Sequence, residues 1–326
     1  MAEGESVINE FTLIRRYFAR VSETADVALG IGDDCALLRP IAGCVAALTT
    51  DTLVAGRHFP IETAAHAIGW KALAVNLSDL AAMGAEPQAF LLALTLPEFD
   101  ASWLEQFADG LHALARDAGI HLIGGDTTRG PLAITITAIG QVPEALALRR
   151  SGAQVGDVVC VTGTLGDAAL ALQLLQTPDS MHPTTDAHRQ LRARLDYPTP
   201  RLAAGLCLRE FATAAIDLSD GLAGDIGHIL AASNVGAEIA VQDLPMSPAF
   251  AQQHAPSQRL QLQVAGGDDY ELCVCIPPQR LREAQAALAL ALTPIGRITA
   301  APGLRWFDAS GHSMTVELSG YDHFKF

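Results

Sequence analysis

The stretch Thr213-Ala214-Ala215-Ile216-Asp217-Leu218-Ser219-Asp220-Gly221 joins an apolar segment to a turn rich in small and acidic residues. Its first four residues predict a strand, and Ser219-Asp220-Gly221 predicts the cap of a helix that runs to about Ser233. Five further apolar segments end in small residues and aspartate, at Gly30–Asp34, Thr49–Asp51, Asn76–Asp79, Gly124–Asp126 and Gly266–Asp269. Clustered carboxylates repel one another and lose hydration, so their repetition after buried segments calls for a chemical reason.

Hard cations supply such a reason. Mg²⁺ takes oxygen ligands, uses one or two carboxylates per ion and leaves its other positions to water and phosphate oxygens. Glycines next to the aspartates allow tight turns and let backbone N–H groups approach phosphate closely. On the predicted helix over residues 62–83, Asn76 and Asp79 share one face. The pattern therefore predicts a magnesium site that handles phosphate.

Asp and Gly are also common turn formers, so each motif alone has a structural interpretation as a turn or a helix cap. We give this interpretation to Asp33, Asp167, Asp225 and Asp269. Other polar residues have two interpretations each. Lys71 is interpreted as a helix-surface lysine or as an amine whose point charge is needed at that position. Arg149-Arg150 is interpreted as a phosphate clamp or a solvated linker, and His58 as a substrate contact or a structural histidine.

The composition excludes several functional classes. The 326 residues carry a net charge of −15, which argues against nucleic acid as a partner. Lys71 and Lys325 are the only lysines, and neither lies in a Walker-A loop. No Gly-x-Ser-x-Gly pattern is present, so a covalent nucleophile is not indicated. The chain lacks an apolar run long enough to span a membrane, and its N-terminus is acidic, unlike a secretory signal. Its six scattered cysteines are typical of reduced thiols. These features predict a cytoplasmic protein.

Hydrophobic periodicity predicts a mixed α and β chain. Helices are predicted over 6–20, 62–83, 102–118, 167–175, the segment ending near Ser233, and 278–291. Strands are predicted over 44–48, 90–96, 121–123, 134–137, 157–161, 213–216, before Gly266, and over 270–276, 294–299 and 314–318. The segment Pro143–Gly156 is the predicted domain boundary, and residues 177–187 are predicted to form a polar loop. The fold class is α+β in two domains.

Taken together, the motifs resemble the thiamine-monophosphate kinase family, in the superfamily of aminoimidazole ribonucleotide synthetase-like enzymes that use ATP. The resemblance covers nearly the whole chain and runs in order through LGIGDDCAL (29–37), TTDTLVAGRHF (49–59), KALAVNLSDLAAMGA (71–85), LIGGDTTRGP (122–131), RSG (150–152), AIDLSDG (215–221), GGDDYEL (266–272) and GYDHF (320–324). It implies an N-terminal synthetase-type domain over 1–148, which carries the dimer interface, and a matching C-terminal domain over 149–326.

The resemblance also implies the chemistry. ATP would phosphorylate thiamine monophosphate directly, giving thiamine diphosphate and ADP with several Mg²⁺ ions, in the last step of thiamine diphosphate biosynthesis by a homodimeric kinase. The residues that match metal and nucleotide-phosphate ligands are Asp34, Thr49, Thr50, Asp51, Asp79, Asp126, Asp217 and Asp220. The ATP contacts would be Gly125, Asp126, Arg150 and Ser219. The substrate contacts would be His58, Asp268 and Tyr321.

One position departs from the family pattern, and two alternatives stay open. Asp268 stands where related sequences commonly have glutamate, so its side chain is one methylene shorter.

The first alternative function is that of another ATP-using enzyme of the superfamily, which the chain's Gly-Tyr-Asp-His-Phe ending disfavours. A non-catalytic metal- or nucleotide-binding homologue is disfavoured by the complete set of acidic motifs.

Overall fold

The computed structural model describes residues 10–19, 24–32, 35–176, 185–252 and 256–316. The chain divides into two compact units. The N-terminal unit comprises Met1–Asn76 and Pro87–Gln141, and the C-terminal unit comprises Leu77–Glu86 and Val142–Phe326. The functional division predicted at residues 148 and 149 remains a prediction.

A four-stranded sheet forms the centre of the N-terminal unit. Its strands, in chain order, are β3 (Cys44–Val54), β4 (Glu86–Leu96), β5 (His121–Arg129) and β6 (Ala133–Pro143), and their spatial order is β3-β6-β4-β5. β4 and β5 are parallel. A separate antiparallel pair is formed by β1 (Val27–Leu29) and β2 (Leu37–Leu38). The sheet order puts β3 and β5 at opposite edges.

Two long helices accompany this sheet, α2 (Ala65–Ala82) and α3 (Ala101–Ala118), after a short α1 (Glu10–Leu13) that continues as a π-helical turn over Ile14–Phe18. The two helices approach closely because glycines face the opposing backbone. A Cβ on Gly69 would lie 2.1 Å from the Phe107 carbonyl oxygen, and a Cβ on Gly110 would lie 1.9 Å from that of His66. Phe90, Phe107 and Leu111 are fully buried.

A seven-stranded sheet organises the C-terminal unit, in the order β13-β12-β9-β11-β7-β10-β8. Its strands are β7 (Val158–Thr162), β8 (Ala214–Leu218), β9 (Gly236–Ala240), β10 (Glu271–Ile276), β11 (Leu292–Thr299), β12 (Gly303–Phe307) and β13 (Ser313–Met314). Neighbouring strands in it pair antiparallel, except that β9 and β12 are parallel. Alternate residues point to opposite faces, so Val159 and Cys273 join one hydrophobic core while Cys160 and Val274 join another.

Helices cover both cores of this unit. They are α4 (Asp167–Leu175), α5 (Asp186–Asp196), α6 (Leu202–Leu208), α7 (Leu222–Ser233), α8 (Pro248–Ala251), α9 (Pro256–Ala265) and α10 (Pro278–Ala287). The end of α2 also belongs here, because a Cβ on Gly205 in α6 would lie 2.0 Å from the Ala81 carbonyl oxygen. Among the described helices of both units, none is long and apolar enough to span a bilayer.

Most predicted elements are confirmed. α2, α3, α4, α7 and β10 lie where the periodicity predicts them, and Gly84 and Gly119 end their helices with φ of 63° and 67°. The predicted opening helix and the loop at 177–187 lie partly outside the described residues. All six cysteines are free, three of them are buried, and burial raises the pKa of Cys160 to about 12.

Four predictions are wrong. β3 continues through Thr49–Asp51, and β5 continues through Gly124–Asp126, so neither strand ends at its motif. Helix α9, not a strand, precedes Gly266. Lys71 is only 4% exposed, so it is not a surface lysine. The helices α5 and α6 and the strands β9 and β12 are not predicted by the sequence at all.

Candidate functional site

Among the described residues of the N-terminal unit, the predicted ligands lie on the two outer strands of its sheet. Thr49, Thr50 and Asp51 are in the middle of β3, where the Thr50 hydroxyl lies 2.8 Å from that of Thr137 on β6. Asp126 is on β5, opposite Ala93 of β4, and is exposed. Two strands separate β3 from β5. At about 4.8 Å per strand spacing, the sheet does not bring Asp51 and Asp126 together.

Gly125 marks a close approach of two backbones. Its φ is 148°, and a Cβ there would lie 1.8 Å from the Leu92 carbonyl oxygen on β4. A register shift between Phe90 and Leu91 accompanies this approach. Only glycine fits this position, which leaves the backbone of β5 bare next to the Asp126 carboxylate.

A surface cavity of about 550 Å³ lies at the end of β5, lined by Leu13, Leu96, Glu98, Phe99, Thr127, Thr128 and Arg129. It lies at the carboxyl ends of the parallel strands β4 and β5. Ligands of open α/β sheets commonly bind at such ends, and the volume is in the range of small-molecule sites.

His58 closes the turn that follows β3. Its Nδ1 accepts the Val54 N–H at 2.9 Å, and Gly56 in the same turn has φ of 74°. A neutral imidazole that accepts at Nδ1 carries its proton on Nε2. The contact gives His58 a structural role, which is compatible with a donor function of Nε2.

In the C-terminal unit, four of the predicted residues lie around the end of β8, namely Asp217, Ser219, Asp220 and Asp268. Asp217 is 5% exposed, and its Oδ2 accepts a hydrogen bond from the Ser78 hydroxyl at 2.8 Å. Ser78 precedes Asp79 on α2, so the Asn-Leu-Ser-Asp motif meets the Asp-Leu-Ser-Asp motif at this bond. Asp79 itself is half-buried.

The loop before β10 lies against the same end of β8. The Asp268 N–H donates to the Ser219 carbonyl at 2.8 Å, and the Tyr270 N–H donates to the Leu218 carbonyl at 2.8 Å. Glycines make the approach possible, because a Cβ on Gly267 would lie 2.5 Å from the Ser219 carbonyl oxygen. Asp217, Ser219, Asp220 and Asp268 therefore form one cluster.

Asp225 supports this cluster from inside α7. Its Oδ2 accepts the N–H groups of Ser219 and Asp220 at 3.0 and 3.1 Å. Burial, together with the charges of Asp217 and Asp220, raises the pKa of Asp225 to about 7, although the two N–H donors act to lower it. The predicted structural role of Asp225 is confirmed. The Asp225 carboxylate, and not a side chain of Ser219-Asp220-Gly221, accepts the backbone N–H groups of this turn.

Asp269 and Asp167 are structural as well. The Asp269 carboxylate is buried and accepts the Gly166 N–H at 2.9 Å. Asp167 opens α4 and accepts hydrogen bonds from Thr164 and Ser247 at 2.7 and 2.6 Å. Sequence reasoning missed Glu271, whose carboxylate is fully buried. It accepts hydrogen bonds from Arg194, Arg201 and Thr162.

Arg150 lies apart from this cluster. The neighbouring Arg149 carbonyl accepts the Ala215 N–H at 3.1 Å, near the start of β8, whereas Ser219 follows its end. Four residues of strand span about 13 Å. Asp34 and Tyr321 lie outside the described residues.

The donor set suits a hard cation. It consists of carboxylates and hydroxyls, the oxygen ligands that Mg²⁺ prefers. Within the part of the chain that the structure describes, no group of three or more His, Cys, Asp or Glu residues is arranged to hold an ion by itself. Oxygens from a bound polyphosphate would complete the coordination, as Mg²⁺ sites in phosphoryl-transfer enzymes commonly require.

Comparison with known proteins decides the family. Residues 32–142 match the model of the AIR synthase related protein, N-terminal domain, and residues 154–308 match that of the C-terminal domain. A thiamine-monophosphate kinase of Salmonella typhimurium is 49% identical over 320 residues, which are 97% of this chain and 98% of that protein. The chain belongs to the thiamine-monophosphate kinase family.

Two solved structures of this family are similar to this chain. The crystal structure of thiamine-monophosphate kinase from Stenotrophomonas maltophilia has 49% identity and a TM-score of 0.86, and the match covers 94% of this chain and 98% of that one. A structure of AaThiL complexed with AMPPCP and TMP has 30% identity and a TM-score of 0.75, with 88% and 89% covered. The predicted α+β class with two synthetase-type domains is confirmed.

Proposed function

We propose that this protein transfers the γ-phosphoryl group of ATP to thiamine monophosphate. The observation that carries the proposal is the 49% identity to a thiamine-monophosphate kinase over 97% of the chain. The relative that was crystallised with AMPPCP and TMP supports both substrates. In biosynthesis this reaction would be the last step towards thiamine diphosphate.

The bond changes are those of a direct in-line displacement. A phosphate oxygen of thiamine monophosphate forms a bond to the γ-phosphorus as the bond to the β,γ-bridging oxygen breaks, and ADP leaves. The attacking oxygen is already anionic, so no strong general base is required. Catalysis therefore consists of holding two anions in line and neutralising their charge. We propose no covalent intermediate with the protein.

Magnesium would supply that neutralisation. We propose that Asp34, Thr49, Thr50, Asp51, Asp79, Asp126, Asp217 and Asp220 hold the ions. Ions held by these residues would screen the polyphosphate and stabilise charge on the transferring group. Because Asp51 and Asp126 are separated by two strands, we expect them to bind different ions.

The remaining predicted residues would orient the substrates. We propose that Gly125, Asp126, Arg150 and Ser219 contact ATP, with the bare backbone at Gly125 approaching phosphate oxygens. We propose that His58, Asp268 and Tyr321 contact thiamine monophosphate. The Asp268 carboxylate has the charge to receive the cationic part of thiamine.

A homodimer formed through the N-terminal unit is also proposed. Its edge strand β3 exposes Leu48 and Val45 at 66% and 39%. Exposed apolar residues on an edge strand favour pairing with another chain. A Leu48→Asp variant should run as a monomer in size-exclusion chromatography, and an unchanged dimer would exclude this surface.

We also propose a cytoplasmic location. The six free cysteines support it, because thiols stay reduced in the cytoplasm.

The test is incubation of the purified protein with ATP, Mg²⁺ and thiamine monophosphate, followed by chromatography of both products. Thiamine diphosphate and ADP should form in equal amounts. ADP formation with another acceptor would indicate a different enzyme of the superfamily. ATP binding without any turnover would indicate a non-catalytic homologue.

A further inference from the structure

Two residues of the loop before β10 have backbone torsions that favour glycine. Asp268 has φ of 68° and Tyr270 has φ of 49°. Side chains in this left-handed region cost free energy, and they persist where surrounding contacts fix them. Two such residues on either side of Asp269 indicate that surrounding contacts hold this loop in one backbone conformation.

The surrounding contacts hold this loop from both sides. The N–H groups of Asp268 and Tyr270 donate to the carbonyls of Ser219 and Leu218, both at 2.8 Å. Between them, the Asp269 carboxylate accepts the Gly166 N–H at 2.9 Å. The loop is therefore fixed to the end of β8 and to the start of α4.

Two arginines fix the residues that follow. Arg194 donates to the Asp269 carbonyl at 3.3 Å and to Glu271 Oε1 at 2.8 Å. Arg201 donates from Nε to Glu271 Oε2 at 2.6 Å. Glu271 is fully buried, so this charge network anchors the start of β10 and the loop leading into it.

The result of this arrangement is a side-chain hydrogen bond across the loop. The Tyr270 hydroxyl donates to Asp268 Oδ1 at 2.9 Å. The Tyr270 ring is buried, whereas Asp268 is half-buried. A packed ring gives its hydroxyl a fixed position, so the bond fixes the direction of the carboxylate as well. A carboxylate has several acceptor positions on its two oxygens and can accept further donors while this bond is kept.

We propose that Tyr270 is a positioning residue, whose hydroxyl holds the Asp268 carboxylate in the orientation that receives the cationic part of thiamine monophosphate. The proposal rests on the proposed function, because it assumes that Asp268 contacts this substrate. Tyr270 acts through Asp268, and the strained loop keeps the two side chains at hydrogen-bonding distance.

The test is Tyr270→Phe, which removes the hydroxyl and keeps the ring. The KM for thiamine monophosphate should rise about tenfold, the usual scale for loss of one hydrogen bond to a charged group. The KM for ATP should stay within about twofold and kcat within about threefold, since a local loss of substrate binding affects neither. Tyr197→Phe, which removes a hydroxyl elsewhere in the same unit, should leave all three constants unchanged.

A double-mutant cycle separates positioning from general damage. Asp268→Asn keeps a side chain that tolerates positive φ and removes the charge. In this background Tyr270→Phe should add less than twofold, because the carboxylate that it positions is gone. Additive effects, an unchanged KM in Tyr270→Phe, or loss of its folded state would overturn the proposal. Absence of thiamine diphosphate with the wild type would overturn the proposed function itself, and the positioning role with it.

Discussion

The Ser78 hydroxyl donates a hydrogen bond to Asp217 Oδ2 at 2.8 Å. This bond links the C-terminal part of helix α2 to the end of strand β8. Ser78 is fully buried and Asp217 is 5% exposed. A buried carboxylate that loses a donor bears a desolvation cost of about 1–3 kcal/mol. The bond therefore holds a proposed metal ligand in place from a neighbouring motif.

Ser78→Ala should lower kcat/KM at limiting Mg²⁺ by about tenfold, because the unsupported Asp217 carboxylate can turn away from its ligand position. Saturating Mg²⁺ should restore part of the loss. Ser310→Ala, in an exposed turn, should have no effect. Equal kinetics of Ser78→Ala and the wild type at every Mg²⁺ concentration would show that the bond does not serve the metal.

Asp51→Asn and Asp126→Asn should each reduce turnover at least about 100-fold, since each removes a metal-held charge. Both residues are partly or fully exposed on edge strands, so neither change should lower the melting temperature. Asp243→Asn, an exposed carboxylate elsewhere, is the control. Activity near wild type in both variants would leave the two aspartates as ordinary strand residues.

Gly125→Ala should destabilise the N-terminal unit by at least about 3 kcal/mol, because a Cβ would clash with the Leu92 carbonyl at a strained φ. Gly227→Ala is the matched control, since it lies inside α7 with no atom within 4 Å of its added Cβ. It should stabilise the C-terminal unit by about 0.5–1 kcal/mol. Urea denaturation measures both effects, and a neutral Gly125→Ala would refute the close approach.

The stability of the protein should depend on the charge of Asp269. Burial raises its pKa well above the usual 3.8, against the Gly166 N–H, which lowers it. A raised pKa means that the folded state binds the proton more tightly than the unfolded state. This contribution to stability is complete below pH 3.8 and is lost as the pH rises through the folded-state pKa.

Asp269→Asn stays neutral and can still accept the Gly166 N–H. Its melting temperature, relative to the wild type, should therefore rise as the pH increases from 3.8 through the folded-state pKa, where one titrating proton changes stability by at most about 1.4 kcal/mol per pH unit. Differential scanning fluorimetry across this range measures the difference. A difference that is constant with pH would mean that Asp269 does not titrate there.

Sequence periodicity predicts the elements whose local signals agree with their packing. Helix α3 has Leu104, Phe107 and Leu111 at helical spacing, a Gly119 stop signal, and all three apolar residues buried. The same approach fails where tertiary contacts override local preference. Thr49–Asp51 resembles a strand end in sequence, but cross-strand pairs of Thr50 with Thr137 and Thr52 with Thr135 keep β3 extended.

The site was predictable as a set of motifs and not as an arrangement. Each aspartate motif is visible in the chain, yet the contact of Ser78 with Asp217 joins residues 139 positions apart. Glu271 and its two arginines left no local signal, because a buried ion network depends on which elements fold together. Asp268 and Tyr270 likewise reveal their strain only in the backbone torsions.

The fate of the γ-phosphoryl group tests the proposed transfer most directly. Wild-type protein is mixed with γ-labelled ATP, Mg²⁺ and thiamine monophosphate, and the label is followed by chromatography. We expect the label to appear in thiamine diphosphate at one equivalent per ADP. Label released only as inorganic phosphate, with thiamine monophosphate unchanged, would contradict it.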